Sequence, residues 1–184
     1  MIKKCLTIAG SDSSGGAGVQ ADLKTFSALG TYGMSCISAL TAQNTQGVDK
    51  VENVSQAMIR GQLAAIYSDI VPDAVKTGML SCRETVETVA GFLESHNQAP
   101  LVVDPVMVAT TGARLLDEEA IISYKERLIP LATLVTPNIP EAEVLSGMAI
   151  HTEEDMKQAA EKIMGMGPKA VLIKGGHKVH DATD

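Results

Sequence analysis

Cys5-Leu-Thr-Ile-Ala-Gly10-Ser-Asp-Ser-Ser-Gly15-Gly-Ala-Gly18-Val-Gln-Ala-Asp22-Leu-Lys-Thr-Phe26 is the stretch on which the fold turns. Leu6, Ile8 and Ala9 read as a short buried strand that runs into a Gly/Ser turn. From Gly18 onward the spacing of Ala21, Leu23, Phe26 and Leu29 predicts a helix. A strand that meets a helix through glycines brings bare backbone N–H groups to the positive end of the helix dipole. Such a loop suits a phosphate or a polar ring.

Outward from this loop the same alternation recurs. Residues 33–42 read as a second strand, and Ile59, Leu63, Ile66 and Ile70 fall at helical spacing. A short strand at 73–76 precedes a helix with Val86, Val89, Ala90 and Leu93 on one face. Leu101-Val-Val-Asp104 is a near-continuous apolar run, as expected of a strand covered on both faces. A helix carrying Ile121, Tyr124, Leu128 and Leu131 leads to a strand at 134–136. A short helix at 140–145 follows, then one opened by Thr152 with Met156, Ala159, Ala160 and Ile163 inward. Residues 170–174 read as a last strand. Strands alternating with helices predict an α/β fold, a mostly parallel sheet with helices on both faces. Ligands of such sheets bind outside the carboxyl ends of the strands. The polar groups at those ends therefore belong to one crevice: Gly10 to Gly18, Gln43, Lys76 to Met79, Asp104, Asn138 and Lys174.

The 184 residues suffice for one domain, read as 1–184. No apolar run approaches the roughly 20 residues of a membrane helix. The start, Met1-Ile-Lys-Lys-Cys-Leu, has no apolar signal core. Cys5, Cys36 and Cys82 are widely spaced and read as reduced thiols of a cytoplasmic protein. A net charge of −7 and 3% aromatics argue against a nucleic-acid surface. An anionic nucleotide remains compatible if backbone amides, a lysine or two and a metal act locally.

Each motif has competing readings. Gly16-Ala-Gly18-Val-Gln-Ala21 fits the dinucleotide pattern, yet the second strand ends in Gln43-Asn44 rather than the ribose-binding acid. The loop otherwise lines a substrate or is a tight structural turn. Asp104, before Pro105, is a strand-ending turn or a Mg²⁺ ligand. Asn138-Ile-Pro-Glu141 is a capping box with Asn in place of Ser or Thr, and also a rigid place to hold a carboxylate and an amide near a metal–phosphate group. Lys174, before Gly175-Gly176, meets a phosphate or extends to solvent. Gln43 and Asp22 could hydrogen-bond a heteroaromatic ring, with Met79 and Val106 as an apolar slot. His177 has no ligand-spaced partner and reads as surface.

Taken together, residues 9–26, Ala42-Gln-Asn-Thr45, Lys76-Thr-Gly-Met-Leu80, Val103-Asp-Pro-Val-Met107, Thr136-Pro-Asn-Ile-Pro-Glu-Ala142 and Lys174-Gly-Gly-His177 closely resemble the hydroxymethylpyrimidine/phosphomethylpyrimidine kinases of thiamine biosynthesis, a branch of the ribokinase-like superfamily. The resemblance runs through the whole chain. It implies a ribokinase-like sheet and two ATP-dependent phosphorylations of 4-amino-5-hydroxymethyl-2-methylpyrimidine, first to the monophosphate and then to the diphosphate. It implies that Gln43 reads the pyrimidine edge while Gly10, Ala17, Asp22, Met79 and Val106 line the ring. Asp104 and Glu141 would serve Mg²⁺, Asn138 and Lys174 the ATP phosphates. A homodimer is the assembly it suggests.

One departure stands out. The family pattern continues to a Gly-Thr-Gly-Cys loop that supplies an anion hole and a cysteine proposed to activate the substrate hydroxyl. No such tetrapeptide occurs here. The expectation is a chain lacking the C-terminal part of the domain, weakly active or inactive alone. The rivals are a pyridoxal/pyridoxine kinase of the same superfamily, a non-catalytic pyrimidine-binding fragment, and an NAD-linked oxidoreductase resting on Gly16-Ala-Gly18.

Overall fold

The computed structural model describes residues 1–107 and 118–175. The chain runs β1 (Lys4–Ala9), α1 (Gly18–Ala28), β2 (Tyr32–Ile37), β3 (Ala39–Gln43), β4 (Val48–Asn53), α2 (Gln56–Asp69), β5 (Ala74–Thr77), α3 (Arg83–His96) and β6 (Leu101–Val103). Then come α4 (Glu118–Ser123), a π-helical turn (Tyr124–Leu128), a 3-10 turn (Ile129–Leu131), β7 (Leu134–Val135), α5 (Ile139–Ser146) and α6 (Glu153–Met164).

Five strands form a parallel sheet in the order β2-β1-β5-β6-β7. The path from β1 moves one way to β2, while β5, β6 and β7 extend the other way. Right-handed crossovers then put α1 on one face and α2, α3 and α4 on the other. In agreement, α1 packs on β1 and β2, α2 packs on α3, and α3 packs on α4. The change of direction between β1 and β5 is a topological switch point, where a crevice opens at the carboxyl ends of the strands. Burial of Leu6, Ile8, Val75, Leu101, Val103 and Val135 makes the strand interiors the core. Both sheet faces are covered, which is why these strands are apolar without alternation.

Three expectations about elements change. Residues 33–42 are two strands. The Ser38 N–H donates to Ala9 O and its hydroxyl to Met79 O, closing the pairing with the sheet. The chain then leaves as β3 and pairs antiparallel with β4 in a separate hairpin. An Asx turn makes the reversal: Asn44 Oδ1 accepts from the N–H groups of Gln46 and Gly47. β4 gives no strand signal in the sequence, because Val-Asp-Lys-Val-Glu-Asn lacks an apolar alternation and lies mostly exposed. Residues 170–174 pair with the β7 region only through the bridges Val135↔Val171 and Asn138↔Lys174. Pro137 has no N–H, so a continuous ladder breaks there, although its carbonyl accepts from Lys174 N.

The apolar face of α1 is also less buried than its spacing implies. Val19 is buried, Leu23 and Phe26 are half-buried, and Leu29 is 74% exposed. β2 is the sheet edge among the described residues, so the far end of α1 has no strand beneath it. Where the helix does touch, Gly33 permits the approach. A Cβ there would lie 2.8 Å from Leu23 Cδ2. The helices with full apolar faces behave as read, with Val86, Val89, Ala90 and Leu93 buried on α3 and Met156, Ala159 and Ile163 on α6.

Candidate active site

A cavity of about 290 Å³ opens at the switch point. It lies at the carboxyl ends of β1, β5 and β6 and is walled by the β3–β4 hairpin. That volume is at the small end of ligand sites, roughly 300–1,000 Å³, and suits one substituted ring. Its floor is the loop between β1 and α1. Gly18 sits there at φ +57°, and a Cβ would collide with Gly10 O and come within 3.1 Å of Asp12 N. Only glycine fits both the dihedral and the crowding.

The N–H groups of this loop are not bare, contrary to the expectation from sequence. Asp12, 2% exposed, turns its carboxylate inward. Its Oδ2 accepts from Gly16 N at 3.0 Å and Ala17 N at 2.8 Å, while Oδ1 accepts from the N–H and hydroxyl of Ser14, each at 2.8 Å. Burial works against the charge, but these bonds from Ser14, Ala17 and Gly16 outweigh it and hold the carboxyl below its ordinary value. The loop therefore carries its own anion. With the Gly16 and Ala17 amides taken by Asp12, the loop no longer offers a dinucleotide pyrophosphate the bare glycine amides that the Gly16-Ala-Gly18 pattern requires, which weakens the oxidoreductase reading.

All six residues expected around a ring line the cavity: Gly10, Ala17, Asp22, Gln43, Met79 and Val106. Gln43 ends β3, pinned by the Ser13 hydroxyl, which donates to Gln43 O at 2.6 Å and accepts from Gln43 N at 2.8 Å. Thr41 Oγ1 lies 3.2 Å from the Gln43 amide oxygen but gives its proton to Ser11 O at 2.8 Å. The amide edge of Gln43 is thus held at the wall without its hydrogen bonds being used up. Asp22, one turn into α1, accepts from Thr7 Oγ1 at 2.6 Å and from Lys76 Nζ at 2.9 and 3.0 Å. It is ion-paired rather than a bare ring acceptor.

The charged residues gather at one edge of this cavity. Asp104 follows β6 and lines the opening. Lys174 Nζ donates to its Oδ1 at 2.9 Å, and Lys76 Nζ stands 3.9 Å from its Oδ2. The Asn138–Glu141 capping box is formed, with Glu141 N donating to Asn138 Oδ1 at 2.9 Å and Asn138 N to Glu141 Oε2 at 2.8 Å. The cap uses Asn138 Oδ1 and leaves its NH₂ group as the donor for an anion. Glu141 is 3% exposed. Burial raises its pKa, the Asn138 N–H partly offsets that, and the nearby Asp104 charge raises it further. Gly176 and His177 lie outside the described residues.

No group of three or more His, Cys, Asp or Glu is placed to hold a metal among the described residues. Two neighbouring carboxylates, one of them disfavoured as an anion first by burial and then by the other's charge, fit a cation that brings most of its own ligands. Mg²⁺ arriving with phosphate and water is such a cation. Two groups here carry no distinctive signal in the sequence. Asp12 looks like one more polar loop residue, and Lys76 like any lysine in a strand. Only the Asp-Ser-Ser-Gly-Gly run hints at the former, as an acid followed by small residues whose amides can fold back on it.

The sequence profile described as phosphomethylpyrimidine kinase matches residues 12–184. A Bacillus subtilis hydroxymethylpyrimidine/phosphomethylpyrimidine kinase is 51% identical over 180 residues, covering 98% of this chain and 66% of its own length. The chain thus spans about two thirds of that relative. A crystal structure of phosphomethylpyrimidine kinase from Clostridium difficile 630 superposes with a TM-score of 0.92 at 54% identity, over 98% of this chain and 78% of the other. A Staphylococcus aureus pyridoxal kinase in complex with AMP-PCP and pyridoxal superposes at 0.85 with 42% identity, over 95% and 63%. The fold is accordingly ribokinase-like, and the chain belongs to the phosphomethylpyrimidine kinase family.

Proposed function

We propose that this chain carries the substrate- and metal-phosphate-binding part of an ATP-dependent kinase that phosphorylates 4-amino-5-hydroxymethyl-2-methylpyrimidine and then its monophosphate. The observation that carries the reading is the juxtaposition of a ring-sized cavity, walled by Gln43 and Met79, with the Asp104–Lys174–Glu141 edge. Gln43 reads the amino-pyrimidine edge, and Met79 and Val106 hold the ring apolar. The substrate hydroxymethyl group then reaches toward Asp104.

Asp104 and Glu141 would hold Mg²⁺, which when bound would supply positive charge to offset that of the transferring phosphates. Lys174 and the Asn138 amide position the phosphates of ATP. Transfer forms the bond between the substrate oxygen and the γ-phosphorus, breaks the bond to ADP, and releases the hydroxyl proton. Residues 1–184 form one domain in this reading.

Pyridoxal is the second reading, favoured by the likeness to the S. aureus enzyme. Parallel titrations of the pyrimidine alcohol and pyridoxal into the purified chain, with Mg²⁺ and a non-hydrolysable ATP analogue, separate the two. Tighter pyrimidine binding is expected. Pyridoxal binding tenfold tighter would reverse the assignment, and saturation by neither compound would remove it.

A further inference from the structure

Lys76 has no part in the binding roles assigned so far, yet it is the only cation lining the cavity among the described residues. It sits on the central strand β5 with its side chain 26% exposed. Two of its three N–H donors face Asp22, at 2.9 and 3.0 Å. The remaining direction opens toward Asp104 Oδ2, which at 3.9 Å is too far for a hydrogen bond. Gly78 keeps space for this ammonium, since a Cβ there would stand 3.3 Å from Lys76 Nζ and 3.0 Å from Ala9 Cβ. A largely buried ion pair of this kind gives little net stability compared with apolar packing. Its presence on the cavity wall is better explained by a ligand.

Asp104 lies between two cations that reach its two oxygens, with Lys76 on the cavity side and Lys174 on the other. The four side chains Asp22, Lys76, Asp104 and Lys174 sum to zero charge. A neutral alcohol in the cavity is indifferent to that balance. A phosphate monoester brings about −1.5 to −2 charges into the same space beside two carboxylates, and it needs a cation there.

Resting on the proposed function, we infer that Lys76 receives the phosphate of the pyrimidine monophosphate, through its third N–H, and so lets one cavity accept both an alcohol and a phosphate as acceptor. Asp22, fixed by Thr7, holds the ammonium in place, and Lys174 serves the nucleotide. Lys76 is then a specificity-determining residue for the second acceptor.

Calorimetric titration of the pyrimidine alcohol and of its monophosphate into wild type, Lys76→Met and Lys76→Arg tests this. Expected is a loss of monophosphate affinity in Lys76→Met at least about tenfold greater than the loss for the alcohol. Lys76→Arg should recover much of the difference, and added salt should weaken monophosphate binding in wild type more than in Lys76→Met. Equal losses for both ligands would make Lys76 merely a support for Asp22 and overturn the inference. So would unchanged monophosphate affinity, or a wild type that binds only the alcohol. A wild type that binds neither pyrimidine would instead remove the functional reading itself. Should Lys76→Met fail to fold, Lys76→Met combined with Asp22→Asn keeps the charge balance and carries the same comparison.

Discussion

The two ends of the cavity are built on opposite principles. At the ring end, internal hydrogen bonds fix the backbone of the β1–α1 loop and the β3–β4 hairpin, with Asp12 accepting from the Gly16 and Ala17 amides and Ser13 pinning the Gln43 backbone, while the Gln43 side-chain amide stays open. At the proposed phosphate end, Asp104, Glu141 and Lys174 form a charged edge in which burial, and after it the Asp104 charge, disfavours the Glu141 carboxylate. The first end is preorganised without a ligand. The second, in the proposed reading, is arranged for a counter-charge that a metal–nucleotide supplies. Changes at the ring end should therefore alter affinity or stability independently of Mg²⁺, and changes at the other end should act through it.

The largest effect expected is at the phosphate end. Asp104→Asn should lower the affinity for Mg²⁺–nucleotide by at least about a hundredfold, while calorimetric binding of the pyrimidine alcohol stays within a few-fold. Equal losses for both ligands would dissolve the division between the ends.

Asp12→Asn comes next. It replaces an acceptor of three amide bonds and a hydroxyl by a group that cannot accept all of them, at a cost of about 2–4 kcal/mol in denaturant unfolding. The pH dependence follows from the lowered carboxyl pKa. That stabilisation is present above the ordinary value of 3.8 and is lost as pH falls through the lower folded-state value. The stability gap between wild type and Asp12→Asn should thus narrow in strong acid. A constant gap from neutral pH down to pH 2 would mean that the carboxylate charge is not what holds the loop.

A smaller change is expected for Gln43→Ala. Loss of its ring-edge hydrogen bonds should weaken pyrimidine binding by about 1–2 kcal/mol, roughly tenfold, with no effect on nucleotide affinity. Unaltered pyrimidine binding would place the ring elsewhere.

Glu141→Gln is the mildest and the most diagnostic in sign. Its raised pKa means that the stability from the neutral form is complete below the ordinary value of 4.5 and declines as pH rises through the folded-state value. The metal-free Gln variant should be no less stable than wild type at pH 7 by thermal unfolding, while no longer gaining stability from Mg²⁺–nucleotide. A clear destabilisation would show that the capping box, not the metal edge, is the reason for this acid.

The same contrast explains what could be read from sequence. Asp104, Asn138 and Glu141 were legible because each terminates an apolar strand or opens a capped helix. Asp104 follows Leu-Val-Val, and Asn138 and Glu141 stand three apart. Burial of the strands makes their ends conspicuous. The ring end was harder. The hairpin that carries Gln43 has an exposed second strand without apolar alternation, and its separation from β2 rests on the hydrogen bonds of Ser38. Asp12 filling its own loop, and Lys76 standing between Asp22 and Asp104, are tertiary facts. They depend on distances between residues up to 54 positions apart, and no periodicity encodes them.

A structure of the chain with the pyrimidine alcohol and a Mg²⁺-bound, non-hydrolysable ATP analogue tests the central claim most directly. The expected result is the ring against Gln43 and Met79, with the terminal phosphate at Asp104 and Lys174. Nucleotide filling the cavity beside Gln43, or a pyrimidine ring seated away from it, would contradict the account.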